Sequence, residues 1–155
     1  MNRPEVHQAA VRDVEFGVRV KIVEPCNLYG CKIGDDCFVG PFTEIQKGAR
    51  IGARTRVQSH SFICELVTIG DDCFIGHGVM FINDTFATGG PAGGRKDLWR
   101  ETLIGNRVSI GSNATIMPVR IADDVVIGAG AVVTRDIAAA GTYAGNPARL
   151  MAIRK

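Results

Sequence analysis

Three histidines, His7, His60 and His77, are the side chains of this 155-residue chain best suited to moving a proton near neutral pH, since an imidazole titrates at about 6.5. His60 and His77 stand 17 residues apart, and Asn83 and Asp84 follow shortly after His77. Asn and Asp also suit the turns at which a chain leaves regular structure. Glu65 lies close enough in sequence either to support His60 or to occupy a solvated corner. His7 lies apart from the others and is expected at the surface. The five cysteines, Cys26, Cys31, Cys37, Cys64 and Cys73, include no Cys-x-x-Cys pair and no metal-ligand spacing, so they read as free thiols in a reducing cytoplasm. Gly128-Ala129-Gly130 does not complete a dinucleotide fingerprint, and no phosphate-loop motif occurs. The chemistry available is therefore proton transfer by an imidazole, with no metal expected.

Composition narrows the class of partner. Hydrophobic residues make up 46% and charged residues 22%, with a formal charge of +2. Neither nucleic acid nor a membrane is expected as partner, because both reward clustered excess cation. No apolar run reaches bilayer-spanning length. The opening Met1-Asn2-Arg3-Pro4-Glu5 is not followed by the apolar stretch of a secretory signal, so a cytoplasmic location is expected. Nineteen glycines beside few aromatics are unusual for this length.

The elements that must position these side chains follow a ruler of six. Ile33, Val39, Ile45, Ile51, Val57, Ile63, Ile69, Ile75 and Phe81 recur at that spacing without a miss. The ruler resumes through Ile104, Ile110 and Ile116, then Ile121, Ile127 and Val133, and extends upstream more weakly through Phe16, Ile22 and Leu28. The residue four after each is small or β-branched, as at Cys37, Thr43, Ala49, Thr55 and Ser61, and the residue one after is often glycine. Neither helical spacing nor strict alternation gives a period of six. Short strands joined by tight corners do, with glycine supplying the positive φ that corners demand. Three such sides close a triangular coil of roughly 18 residues, stacked about 4.8 Å from the next. The ruler slips by one between Leu28 and Ile33 and between Ile116 and Ile121. It breaks from Ile82 to Leu103, where Gly89-Gly90-Pro91-Ala92-Gly93-Gly94 and the only tryptophan, Trp99, lie. Residues 82–103 are expected as a loop thrown out of the prism, with about 17 residues more than one side needs.

This pattern resembles the hexapeptide-repeat acyltransferases over roughly residues 16–150. The tail Ile127-Gly128-Ala129-Gly130-Ala131-Val132-Val133, followed by Tyr143-Ala144-Gly145-Asn146-Pro147-Ala148-Arg149, is similar to that family's C-terminal stretch. The resemblance implies an all-β, left-handed parallel β-helix forming a single domain over 1–155, with one protruding loop and a short C-terminal tail. Crossover physics alone favours the right hand. It further implies a homotrimer that binds a CoA thioester, acetyl-CoA, between neighbouring prisms, with the acceptor entering near the loop. Within the family, His77-Gly78-Val79-Met80-Phe81-Ile82-Asn83-Asp84 is most similar to N-acetyltransferases of nucleotide-linked amino sugars.

In that family context His77 and, second to it, His60 become candidate bases. Their hexads share one side of adjacent coils, so both belong near one edge. Asn83 would hold the acceptor or orient the base, and Asp84 would fix a tautomer or attract a protonated amine. Trp99 and Arg100 either cover the acceptor or pack on a neighbouring subunit. Backbone amides around Gly111, Gly128 and Ala129 would meet the pantetheine, and Arg135 and Arg149 would face the phosphates. Several family members carry their basic histidine in or just after the loop, whereas this loop has none. The departing thiolate is therefore an alternative proton acceptor. O-acetylation of a small alcohol or sugar, a zinc hydratase like carbonic anhydrase, and a non-catalytic scaffold are the competing functions. The spacing of His7, His60 and His77 does not match the three-histidine zinc site that the hydratase requires.

Overall fold

In the computed structural model, which describes residues 4–153, the six-residue ruler becomes a parallel β-solenoid of about seven coils, a left-handed β-helix. The ends of the expected 1–155 domain, including residues 1–3 of the N-terminal stretch, lie outside the described residues. The strands are two or three residues long until the last hairpin. Sheet 1 stacks Val11–Arg12, Asn27–Tyr29, Glu44–Ile45, Phe62–Ile63, Met80–Phe81, Thr115–Ile116 and Val132–Val133. Sheet 2 runs from Glu15–Phe16 through Val67–Ile69 to Thr102–Ile104 and Arg120–Ile121. Sheet 3 runs from Lys21–Ile22 through Arg56–Val57, Phe74–Ile75 and Ser109–Ile110 to Val125–Ile127 and Gly141–Ala144.

Ruler residues meet ruler residues across the coils. Val57 pairs with Val39 below and Ile75 above, and Ile75 pairs with Ile110. From Ile33 to Val133 the ruler positions are buried, as are the small residues four after them. Each coil's inward stripe is covered only by its neighbours, which form one continuous core from Cys26 to Ile137. Upstream the burial fades, and Phe16 is exposed. All five cysteines are free and buried in this core.

Glycine serves a different purpose from the one expected. At the coil corners positive φ falls mostly on the residues three after the ruler, and most of these are not glycine: Asp36, Phe42, Arg54, His60, Leu66, Asp72, Arg107, Asn113 and Asp124. Apart from Leu66, their corner N–H groups donate to the preceding coil, as His60 does to Pro41 O at 3.1 Å, and these bonds offset the cost of the left-handed conformation. The glycines one after the ruler are not in that region. They are needed because the next coil passes too close: a Cβ at Gly76 would sit 2.7 Å from Ile110 O and from Ser112 N.

One boundary differs from expectation, and the expected C-terminal tail takes a definite form. The loop ends at residue 101, because Thr102–Ile104 pairs with Val67–Ile69 and turns Thr102 inward opposite Val67. The tail is a hairpin whose first strand, Gly141–Ala144, continues sheet 3 in parallel, while Arg149–Ile153 returns antiparallel to it. The extra loop length appears directly in the register, since Ile75 pairs with Ile110, 35 positions on.

Candidate active site

Three corners join the three sheets. The corner from sheet 3 to sheet 1 carries both histidines, as the ruler required. His60 lies one turn below the turn of His77, and both are exposed. They are not paired with each other. Because Ile75 sits over Val57, His77 sits over Ser59, and the Ser59 hydroxyl lies 2.8 Å from His77 Nδ1. The His60 ring instead lies against Phe42, with centroids 4.9 Å apart. The third histidine, His7, is remote in the fold's first segment, where its Nε2 is 3.1 Å from Glu5.

The corner from sheet 1 to sheet 2 carries the loop. Strands Phe62–Ile63 and Met80–Phe81 thus have the histidine corner at one end and the loop's corner at the other. Asn83 closes the loop root: its Nδ2 donates to Glu65 O at 3.2 Å, and its carbonyl accepts the Arg100 N–H at 2.9 Å. Asp84 folds the loop, accepting the N–H of Phe86 on one oxygen and of Ala92 on the other. An acceptor would meet only its remaining lone pairs. The Glu65 carboxylate does not reach back towards His60. Both of its oxygens receive Lys96 Nζ, at 2.8 and 2.7 Å, and the same ammonium lies 5.2 Å from the centre of the Trp99 ring. Arg100 bends back to the carbonyls of Asp97 and Trp99. Lys96, which straps the loop to the prism, was not among the residues expected to matter.

The expected thioester contacts divide. Gly111 N–H donates to Ile127 O and Gly128 N–H to Tyr143 O, each at 2.8 Å. Those two amides are spent in the coil ladder and cannot also bind pantetheine, because an N–H makes one strong bond. The Ala129 N–H lies on the turn itself and, among the described residues, has no partner. Arg135 and Arg149 line one cleft of about 200 Å³ at the C-terminal end, together with Asp136 and Tyr143. The thiols are not candidates for nucleophile: burial pushes Cys31 up to about 11 and Cys64 up to about 12.

The third corner, from sheet 2 to sheet 3, is a charge ladder that sequence reasoning missed. Arg19 grips Asp36, Arg54 grips Asp72, and Arg107 grips Asp124. The signal was present in the ruler, since its third-after positions alternate Arg19, Asp36, Arg54, Asp72, Arg107, Asp124. Ser59 was legible in the same way, as it precedes His77 by one full coil of 18 residues. Among the described residues, no helix is long and apolar enough to cross a membrane, and no three His, Cys, Asp or Glu side chains gather as metal ligands.

Two sequence-family models match the chain: bacterial transferase hexapeptide (six repeats) over residues 30–65, and hexapeptide repeat of succinyl-transferase over residues 66–80 and 102–135. The gap between the two segments of the second match is the protruding loop. The chain belongs to the hexapeptide-repeat transferase family. Among curated relatives it is similar to the bifunctional protein GlmU of Nostoc sp., with 33% identity over 134 residues covering 85% of this chain and 27% of that protein. The chain spans between about a fifth and a third of the length of the curated relatives it matches. Among solved structures it is similar to AntD, an N-acyltransferase from Bacillus cereus in complex with dTDP and coenzyme A. The TM-score is 0.72 at 20% identity, covering 92% of this chain and 83% of that one. A galactoside acetyltransferase in complex with coenzyme A is 31% identical with a TM-score of 0.66, over 79% of this chain and 64% of that one.

Proposed function

We propose that the chain is a CoA-dependent acyltransferase that moves an acetyl group from acetyl-CoA to an amino group of a nucleotide-linked sugar. The observation that carries this is an exposed imidazole, His77, oriented through one nitrogen at one end of the sheet 1 strands, with a strapped 20-residue loop at their other end. Family membership supports a transferase, and the coenzyme A bound in AntD and in the galactoside acetyltransferase supports a CoA thioester as donor. AntD, an N-acyltransferase seen with dTDP, favours an amine on a nucleotide-linked acceptor. The galactoside enzyme favours a sugar hydroxyl, and O-acetylation is the second reading.

The chemistry needs few groups. The acceptor nitrogen attacks the thioester carbonyl, a C–N bond forms, and the carbonyl oxygen becomes an oxyanion. His77 Nε2 takes the proton that the nitrogen sheds. The oxyanion collapses, the C–S bond breaks, and coenzyme A leaves as a thiolate that is then protonated. Base assistance of this kind contributes about 10²–10⁴-fold. If the thiolate itself takes the amine proton, no imidazole is required.

For the donor, we assign the Ala129 N–H to the pantetheine and Arg135 and Arg149 to the phosphates. Asn83, Trp99 and Arg100 belong to the acceptor side, with His60 flanking the base. Asp84 and Glu65 act on that side through the loop they fold and strap. A homotrimer would complete each groove with a neighbouring prism. The test is thiol release from acetyl-CoA across a panel of nucleotide-linked amino sugars and their hydroxyl counterparts. Turnover is expected with an amine, and His77→Ala is expected to lower kcat by about 10²–10⁴-fold. Unchanged turnover in His77→Ala would remove the imidazole from the reaction, and no thiol release with any acceptor would remove acyl transfer altogether.

A further inference from the structure

The turn that presents His77 is held from both sides. Below it, Ser59 O accepts the Gly78 N–H at 3.0 Å. Above it, the Asn113 N–H donates to His77 O at 2.8 Å. Gly78 has φ +65°, and a Cβ there would collide with the Asn113 side chain. The backbone of the base is therefore fixed by the coils themselves. The remaining freedom lies in the ring, and one group addresses it: Ser59 Oγ at 2.8 Å from Nδ1. His60, on the same edge, has an aromatic ring against its imidazole instead.

A neutral imidazole carries one proton on two nitrogens, and a base that works through Nε2 must carry it on Nδ1. A serine hydroxyl can accept that N–H. We propose that Ser59 is a positioning residue that holds His77 as the Nδ1–H tautomer and leaves the Nε2 lone pair for the acceptor's proton. This rests on the assignment of His77 as proton acceptor. When Nε2 takes the proton, Nδ1–H goes on donating to Ser59 Oγ, so the ring needs no reorientation at the moment of transfer. Outer groups of this kind, which orient a working imidazole, are typically worth about 10–100-fold. Sequence spacing alone selects Ser59, because it is one full coil before His77.

The test combines kinetics with a spectroscopic readout that does not need turnover. In wild type, ¹⁵N resonances of His77 above the imidazole's titration range are expected to show the Nδ1–H form, and in Ser59→Ala a loss of that preference. In the thiol-release assay, Ser59→Ala is expected to lower kcat about tenfold with KM for acetyl-CoA unchanged, and Ser59→Thr, which keeps a hydroxyl, to restore most of it. Ser59→Ala in a His77→Ala background should add nothing. A wild-type His77 found in the Nε2–H form overturns the proposal whether or not any acceptor is turned over. So does an unchanged kcat in Ser59→Ala, or a loss that Thr does not rescue and that tracks a fall in Tm. Absence of thiol release with every acceptor overturns the acyltransferase assignment instead, while the resonances still decide the tautomer.

Discussion

At Gly111 the missing side chain is a structural requirement, since an added Cβ would lie 2.8 Å from both Ala129 Cα and the Gly128 carbonyl carbon, and backbone cannot yield there. Gly111→Ala is expected to destabilise the fold by about 3 kcal/mol or more. Gly90, in the loop, has nothing within reach of a Cβ, so Gly90→Ala should leave Tm within a degree or so of wild type by thermal melting. Equal effects of the two substitutions would refute the close-approach explanation. Thr102 gives the opposite expectation. It is fully buried, and its hydroxyl has no hydrogen-bond partner among the described residues, whereas Thr43, Thr55 and Ser61 each donate to a carbonyl of the next coil. Thr102→Val exchanges an unpaired hydroxyl for a methyl and is expected to stabilise by about 1 kcal/mol, raising Tm by about 2–4 °C. A lower Tm would mean that the hydroxyl is satisfied in solution. Both outcomes follow from register, which a single residue type does not reveal.

The loop is the element whose position decides the site. Its ruler gap was legible as excess length, and Asn83, Asp84 and Trp99 were legible as its unusual residues. What could not be read was where its charges would land. Lys96 is one of several loop cations, and only folding brings its ammonium to both oxygens of Glu65, 31 residues away. Glu65 is mostly covered and Lys96 mostly exposed, so the pair contributes about 0–1 kcal/mol to global stability. Its effect is local. Lys96→Ala is expected to leave the melting temperature nearly unchanged while limited proteolysis within residues 85–98 becomes several-fold faster. A cleavage rate equal to wild type would show that the Asn83 and Asp84 hydrogen bonds hold the loop without the strap.

For the whole molecule, the ladder of Arg19, Asp36, Arg54, Asp72, Arg107 and Asp124 ties successive coils along one edge. The Arg19 and Arg54 guanidiniums hold Asp36 and Asp72 below the usual carboxylate range, and hydrogen bonding from the Asn106 backbone holds Asp123 there. Folded values under unfolded ones mean that the unfolded chain binds protons first as pH falls. The contribution is therefore complete above about pH 4 and is lost as pH drops through the lowered folded values. These groups are exposed, so the effect is modest and screened by salt. The Tm difference between wild type and Arg54→Gln is expected to shrink from pH 7 to pH 3 at low salt, and a constant difference would discount the ladder. The amino-acid order by itself determined the solenoid, its coil length, the inward positions, the shared edge of His60 and His77, and the site of the loop. A six-residue repeat leaves only one way for each coil to bury its stripe. It did not determine that Gly111 and Gly128 would spend their amides on the ladder, or that Lys96 would cover Glu65. Those contacts join residues a coil or more apart, and their partners are chosen by which turn stacks on which, a geometry that exists only once the coils are closed.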